Sequence, residues 1–253
     1  MAKRLLAKLE DVSLSFGEKI VLQHCTLEII EDAITCVIGL SGAGKSTILR
    51  LLNGLRKPDS GRVIVHDVDI STLSPRDLID FRRSIGFSFQ FAALFDSLTI
   101  FENIALPLRE HTRLKEDEIR TQVHSALEGV GLAGVEDRMP AELSGGMIKR
   151  AGFARAIITS PKLVLYDEPT TGLDPIITHL LTETIIRLRE RLKGTAVVVS
   201  HDLESIYHMA DYVAMLFEGA IIAYGTVGEL RKSYNPIVQQ FLQGSEVGPI
   251  PVG

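Results

Sequence analysis

The stretch Gly39-Leu40-Ser41-Gly42-Ala43-Gly44-Lys45-Ser46-Thr47 constrains what this chain can fold into more than any other. The run Thr35-Cys36-Val37-Ile38 before it reads as a buried strand. Ile48, Leu49, Leu51 and Leu52 after it read as a helix. Strand, glycine-rich turn and helix together let the backbone bend around an anion with its N–H groups pointing inward. The positive end of the helix then lies against the charge. In such a loop Lys45 reaches the β- and γ-phosphates, and the Ser46 hydroxyl ligates Mg²⁺. The motif predicts a bound nucleoside triphosphate and no more.

At 253 residues the chain has room for one large α/β domain or a core with an inserted lobe. Its net charge of −5 argues against a nucleic-acid partner, which would select a basic face. Cys25 and Cys36 both fall in apolar, strand-like stretches and read as small buried hydrophobes rather than a disulfide or metal site. The basic start, Met1 to Lys8, is too short and interrupted for a signal peptide. No apolar run reaches bilayer length; the longest candidate, Val213 to Tyr224, is broken by Glu218-Gly219 into two strands and a turn. Work at a membrane would therefore go through a partner.

Residues 4–34 alternate apolar and polar about a turn at Gly17-Glu18-Lys19, and Arg62-Val63-Ile64-Val65 follows a turn at Pro58 to Gly61. Both suggest an antiparallel sheet flanking the nucleotide core. Ser74-Pro75-Arg76-Asp77 has the form of a helix start. From 91 to 160 the pattern turns helical, with Ile119, Val123, Leu127 and Val130 on one stripe, which predicts an inserted helical lobe. Core strands and helices then alternate: Leu163 to Tyr166, a helix with Leu181, Ile185, Leu188 and Leu192, and Ala196 to Val199. The division expected is a single domain over 1–242, with core 1–90 and 161–234 and helical lobe 91–160. A tail over 235–253 should hold one short helix and an extended end.

Leu163 to Tyr166 runs into Asp167-Glu168, two carboxylates at the carboxyl end of a buried strand, where open α/β sheets bind ligands. Asp167 suits Mg²⁺, directly or through water, and Glu168 suits a general base that polarises water. The plainer alternative is an acidic strand end before a loop. Leu143-Ser144-Gly145-Gly146-Met147 precedes a predicted helix that Ser144 can cap, and the two glycines expose N–H groups to a second anion.

With these elements in this order, the chain resembles the nucleotide-binding subunit of ABC transporters across nearly its whole length. The resemblance makes residues 39–47 the Walker A loop, Gln90 the Q-loop residue and Leu143 to Met147 the signature. It makes Asp167 and Glu168 Walker B, Asp174 of Gly172-Leu173-Asp174-Pro175 the D-loop residue, and His201 of Ser200-His201-Asp202 the switch histidine. Phe16 falls where that family stacks a ring on adenine. Met147 stands where most members have glutamine, Ile148 where a polar residue is common, and Phe16 where tyrosine is more frequent. None of these removes a phosphate ligand. Together with Pro107 to Thr112 and Val238 to Gly244, Leu143 to Met147 resembles the ATPases of Mce-type lipid transporters. Several residues keep bland readings as well: His201 as a core histidine, Phe16 as packing, Asp174 as a helix cap.

The resemblance implies a P-loop ABC ATPase fold. It has a mostly parallel core sheet, a flanking antiparallel β subdomain and an inserted helical subdomain. It also implies ATP hydrolysis with Mg²⁺ held by Ser46, Gln90 and Asp167. ATP would be bound by Phe16, Gly39, Ser41, Gly42, Ala43, Gly44, Lys45, Ser46, Thr47 and Asp174. Glu168, His201, Lys45 and Gln90 would serve catalysis. Ser144, Gly145 and Gly146 would come from a second copy in a head-to-tail dimer. Further implied partners are an integral membrane permease, an MCE-domain lipid-binding protein and a STAS-domain regulator. The expected place is the cytoplasmic face of the inner membrane, peripherally bound. The alternatives are the ATPase of another ABC importer or exporter and a soluble iron–sulfur assembly ATPase.

Overall fold

The computed structural model describes residues 4–251, so Met1 to Lys3 of the basic N-terminal stretch lie outside the described residues. In chain order the elements begin with strands β1 (Leu5–Phe16), β2 (Lys19–Ile30) and β3 (Ile34–Ile38), helix α1 (Lys45–Leu52), and strands β4 (Ser60–Val65) and β5 (Val68–Asp69). There follow α2 (Pro75–Arg82), β6 (Ile85–Ser88), α3 (Ile100–His111), α4 (Glu116–Gly129), α5 (Gly145–Ile157), β7 (Leu163–Asp167) and α6 (Pro175–Leu192). The chain closes with β8 (Thr195–Val199), α7 (Leu203–Met209), β9 (Tyr212–Phe217), β10 (Ala220–Gly225), α8 (Val227–Arg231) and α9 (Pro236–Gln243). These elements form two compact units: residues up to Leu73 together with Val197 onward, and Ser74–Ala196.

In the first unit β2, β1, β4 and β5 make the antiparallel sheet that the alternation predicts. Leu9, Val12, Leu22 and Ile29 fill its buried face. The strand β3 is buried at every position and pairs in parallel with β9, Thr35 opposite Tyr212 and Ile38 opposite Met215. Burial of both faces explains why Ile34, Cys36, Val37 and Ile38 are all apolar. Asp211 fixes the start of β3: its carboxylate accepts from the Ile34 N–H at 2.8 Å, and its own N–H donates to the Ile34 carbonyl at 3.0 Å. Cys25 and Cys36 are buried free thiols, and burial pushes the Cys25 thiol up to about 12.

The end of the first unit departs from the extended tail expected of the sequence. Gly244 caps α9 with φ 60, and the chain turns back over the helix. The buried Gln240 side chain donates to the carbonyls of Ser245 and Ile250 and accepts from the Ile250 N–H at 2.6 Å. One internal amide thus pairs both backbone groups of the buried Ile250, which no local sequence signal announces.

In the second unit β6 and β7 pair in parallel, Ile85 opposite Leu163 and Ser88 opposite Tyr166. Helices α3, α4 and α5 form the lobe, with Ile119, Val123 and Leu127 on the buried stripe of α4. Ser74 caps α2, and Thr99 with Glu102 makes a capping box at the head of α3. A fully buried Asn103 organises the approach to α3. Its amide donates to the carbonyls of Phe95, Leu98 and Thr99, and its carbonyl accepts from the Phe95 N–H at 2.7 Å.

Candidate nucleotide site

The first unit supplies the phosphate loop. At the end of β3 the backbone turns through Gly39 at φ 148 and reaches α1 through Gly44 at φ 102. Both glycines are obligatory on two grounds. Side chains rarely adopt these φ values, and a Cβ at Gly39 would lie 2.2 Å from the Leu216 carbonyl oxygen. A Cβ at Gly44 would lie 2.8 Å from Cγ1 of Val21. Gly44 also heads α1, so no side chain occupies the cap and the first turn opens onto the loop. The buried Lys45 side chain curls over the turn, and its ammonium donates to the carbonyls of Gly39 and Leu40, each at 3.0 Å. A backbone cradle shaped by glycines, at a helix N-terminus with one lysine over it, fits a polyphosphate. The same unit places His201 directly after β8, whose exit is joined to β3 by the Ser200 N–H donating to the Val37 carbonyl at 3.3 Å. His201 is exposed rather than packed in a core, so the bland reading fails for it. Phe16 ends β1 with its ring partly exposed, and the Arg56 guanidinium lies 4.9 Å from the ring centroid.

The second unit supplies the carboxylates and the signature. Asp167 ends β7, Glu168 follows it directly, and both are buried. Because β6 runs parallel to β7 in the register above, Gln90 leaves β6 at the same edge at which the two carboxylates leave β7. Tyr166 packs edge-on against Phe153 of α5, ring centroids 5.1 Å apart, and burial pushes its phenol well up, so it serves as a neutral core side chain. Glu168 adopts φ 47, a left-handed conformation that costs a non-glycine residue energy and is held only where neighbours enforce it. Two residues that the motifs do not single out hold it: the Thr171 hydroxyl donates to Oε2 at 2.9 Å, and Lys149 of α5 donates to the Thr171 carbonyl at 2.7 Å. A lysine within the helix that follows the signature gives no sequence signal for this, because the contact joins segments about twenty positions apart.

Ser144 caps α5, accepting from the Met147 N–H at 3.4 Å, and Ser144 and Gly145 are both exposed. Asp174 caps α6, its carboxylate accepting from the N–H groups of Ile176 and Ile177 at 3.0 and 3.1 Å. A Cβ at Gly146 would lie 2.7 Å from Cγ2 of Ile177, so the absence of a side chain there lets the signature turn seat on α6. Beside β6 the second unit also has an open groove of about 540 Å³, lined among others by Arg82, Phe87, Phe89, Phe95 and His111. At its rim Arg155 donates to the carbonyls of Ala92 and Ala93, at 2.6 and 2.8 Å, and both alanines have positive φ. Phe91, beside them, is 84% exposed.

Phosphate cradle, paired carboxylates and capped signature are the parts of an ATP-binding cassette, and residues 22–171 match the model of the ABC transporter family. The chain belongs to that family and is an ATPase of it. It is 41% identical to the intermembrane phospholipid transport system ATP-binding protein MlaF of Haemophilus influenzae, over 97% of this chain and 93% of that protein. To a probable ribonucleotide transport ATP-binding protein of Mycobacterium leprae it is 40% identical, over 93% of this chain and 68% of the other. Among solved structures it is similar to a dimeric ATP-binding cassette in a post-hydrolysis state bound to ADP and Pi, with TM-score 0.80 and 31% identity over 87% of this chain and 98% of that one. Another, cbiO1 of Clostridium perfringens, part of the ABC transporter complex cbiONQ, superposes with TM-score 0.83 and 28% identity over 94% of this chain and 95% of the other. No helix among the described residues is long and apolar enough to cross a membrane.

Proposed function

We propose that this ATPase energises the movement of phospholipid between membranes. The observation that carries the reading is the likeness to MlaF over almost the whole of both chains. Two copies pair head to tail around two shared ATP molecules. Each copy offers Lys45, Ser46, Gln90, Asp167, Glu168 and His201 to one nucleotide and Ser144, Gly145 and Gly146 to the other. Gly39, Ser41, Gly42, Ala43, Gly44 and Thr47 complete the phosphate loop, Phe16 stacks on the base, and Asp174 serves the dimer contact as well as its cap. The chain carries one loop and one signature, and its family includes dimeric cassettes, which supports this division of labour.

The donor set of Ser46, Gln90 and Asp167 is all oxygen, which fits Mg²⁺; that ion supplies charge neutralisation at the phosphates. Glu168 accepts a proton from the attacking water, Lys45 offsets the charge of the transferred phosphoryl group, and His201 senses the γ-phosphate. ATP binds the closed pair better than the open one, so binding closes it and hydrolysis releases it. The groove beside β6, with Phe89, Phe95 and Arg155 in its lining, receives a helix of an integral membrane permease and keeps the ATPase peripheral at the cytoplasmic face of the inner membrane. An MCE-domain lipid-binding protein and a STAS-domain regulator complete the assembly.

Isolation of the native complex tests the substrate. Co-purification of a permease, an MCE-domain protein and bound phospholipid is the expected result. The likeness to a probable ribonucleotide transport protein supplies the rival reading. A complex whose ATPase is stimulated by ribonucleotides and which carries no lipid would establish that rival instead. For the chemistry, Glu168→Gln with ATP and Mg²⁺ should bind nucleotide, lose turnover and accumulate as dimers. Unchanged turnover removes Glu168 from the role of base.

A further inference from the structure

Lys149 joins the signature helix to the turn carrying the second Walker B carboxylate. Its ammonium donates to the Thr171 carbonyl at 2.7 Å and to the Glu168 carbonyl at 3.4 Å. Thr171 in turn donates its hydroxyl to Oε2 of Glu168 and its N–H to the Glu168 carbonyl at 3.4 Å. The turn from Glu168 to Thr171 is therefore closed on itself and tied to α5 through the Lys149 ammonium. Its neighbour Arg150 points elsewhere, to the carbonyls of Val130 and Gly131 in the lobe. Burial pushes the Lys149 ammonium pKa down, against the pull of the Glu168 charge. A half-buried lysine committed to backbone carbonyls costs desolvation that a surface position would avoid. Its three donors on a flexible stem can hold two carbonyls at once.

We infer that Lys149 is a positioning residue for ATP hydrolysis, fixing the strained Glu168 turn against α5 so that the aim of the carboxylate follows the position of the signature helix. This rests on the reading of Glu168 as general base. Ser144 and Gly145, which head the same helix, engage the nucleotide held by the partner copy. Displacement of α5 on that engagement is carried through Lys149 and Thr171 to the base of the subunit's own site. The two shared sites are thus coupled within one polypeptide, by a link of one side chain and one turn.

The test compares Lys149→Met, Lys149→Arg, Thr171→Val and Glu168→Gln in the full chain, measuring kcat, KM for ATP, nucleotide affinity and thermal unfolding. Lys149→Met should lower kcat about 10-fold or more while KM stays within roughly 3-fold, since misaiming a base affects the reaction rather than binding. Lys149→Arg should restore most of the rate, because a guanidinium offers donors to the same carbonyls. Thr171→Val, which keeps the shape and removes the hydroxyl, should reproduce the kcat loss and carries the test if Lys149→Met does not fold. If Glu168→Gln abolishes turnover while Lys149→Met and Thr171→Val keep the wild-type kcat, the inference fails alone. A raised KM and lowered melting temperature with kcat unchanged also overturns it, by making the contact merely structural. Turnover surviving in Glu168→Gln overturns the underlying assignment of the base instead.

Discussion

The Lys45 ammonium donates to the Gly39 carbonyl at 3.0 Å, closing the phosphate loop with its own lysine. The cation is held over the turn by the chain that it serves, so its charge is in place before any phosphate arrives. Lys45→Ala should therefore cost ATP turnover about 100-fold or more. Steady-state phosphate release, read beside nucleotide affinity, checks it; retention of near-normal turnover would contradict the role assigned to the lysine.

Gly39→Ala should act differently. The added methyl group meets the Leu216 carbonyl of β9, and backbone at φ 148 is unfavourable for alanine. Loss of roughly 2–4 kcal/mol of stability is expected, with nucleotide affinity falling as well. Urea denaturation of the variant measures the first, and a midpoint equal to that of wild type would show that β9 yields easily.

Asn103→Leu tests the head of α3. The leucine fills a similar volume but strips four hydrogen bonds from the backbone of Phe95, Leu98 and Thr99. The Thr99 carbonyl keeps the Asn103 N–H at 3.0 Å, but the part-buried groups of Phe95 and Leu98 lose this partner, which should cost about 1–3 kcal/mol in denaturant titration. Because the same segment borders the groove beside β6, co-purification with the permease should weaken too.

Arg155→Gln should loosen that rim. The guanidinium holds the carbonyls of Ala92 and Ala93, whose left-handed backbone costs energy. Recovery of permease with tagged ATPase should fall several-fold while the basal ATPase of the isolated chain changes little. Equal recovery would place the permease elsewhere.

A pH dependence is expected at His124, on the surface of α4. Its Nδ1 lies 3.0 Å from Glu136 and its Nε2 lies 3.3 Å from Glu128. The hydrogen bond to Glu136, then the charge of Glu128, raise the imidazole pKa above its ordinary value. The sign follows from linkage: the stabilising contribution is fully present below the unfolded pKa and is lost as pH rises through the raised native one. Wild type should exceed His124→Gln in melting temperature at about pH 5.5 and match it near pH 8.5. A constant difference across that range would leave the imidazolium no part in it.

How much of this was legible beforehand depends on how local the physics is. The phosphate loop, the caps Ser74, Ser144 and Asp174, and the burial of β3 are visible in short windows, because a turn, a cap or a strand buried on both faces is decided by neighbours in the chain. A closed loop of glycines followed by lysine states its own conformation. The strain at Glu168, its support by Lys149 and Thr171, the four bonds of Asn103 and the clasp of Gln240 on Ile250 are not so visible. The tail shows the difference most simply: the sequence predicts one short helix within 235–253, but nothing there says that Gln240 faces inward to receive the returning chain. Sequence alone determined the glycine-rich loop at 39–47 and the carboxylate pair at the end of a buried strand, since turns, caps and strand ends follow from residue type and spacing. Tertiary structure decided what holds those residues in aim, since a polar side chain commits to a backbone partner only when folding has brought that partner within about 3 Å of it and removed the water that would compete.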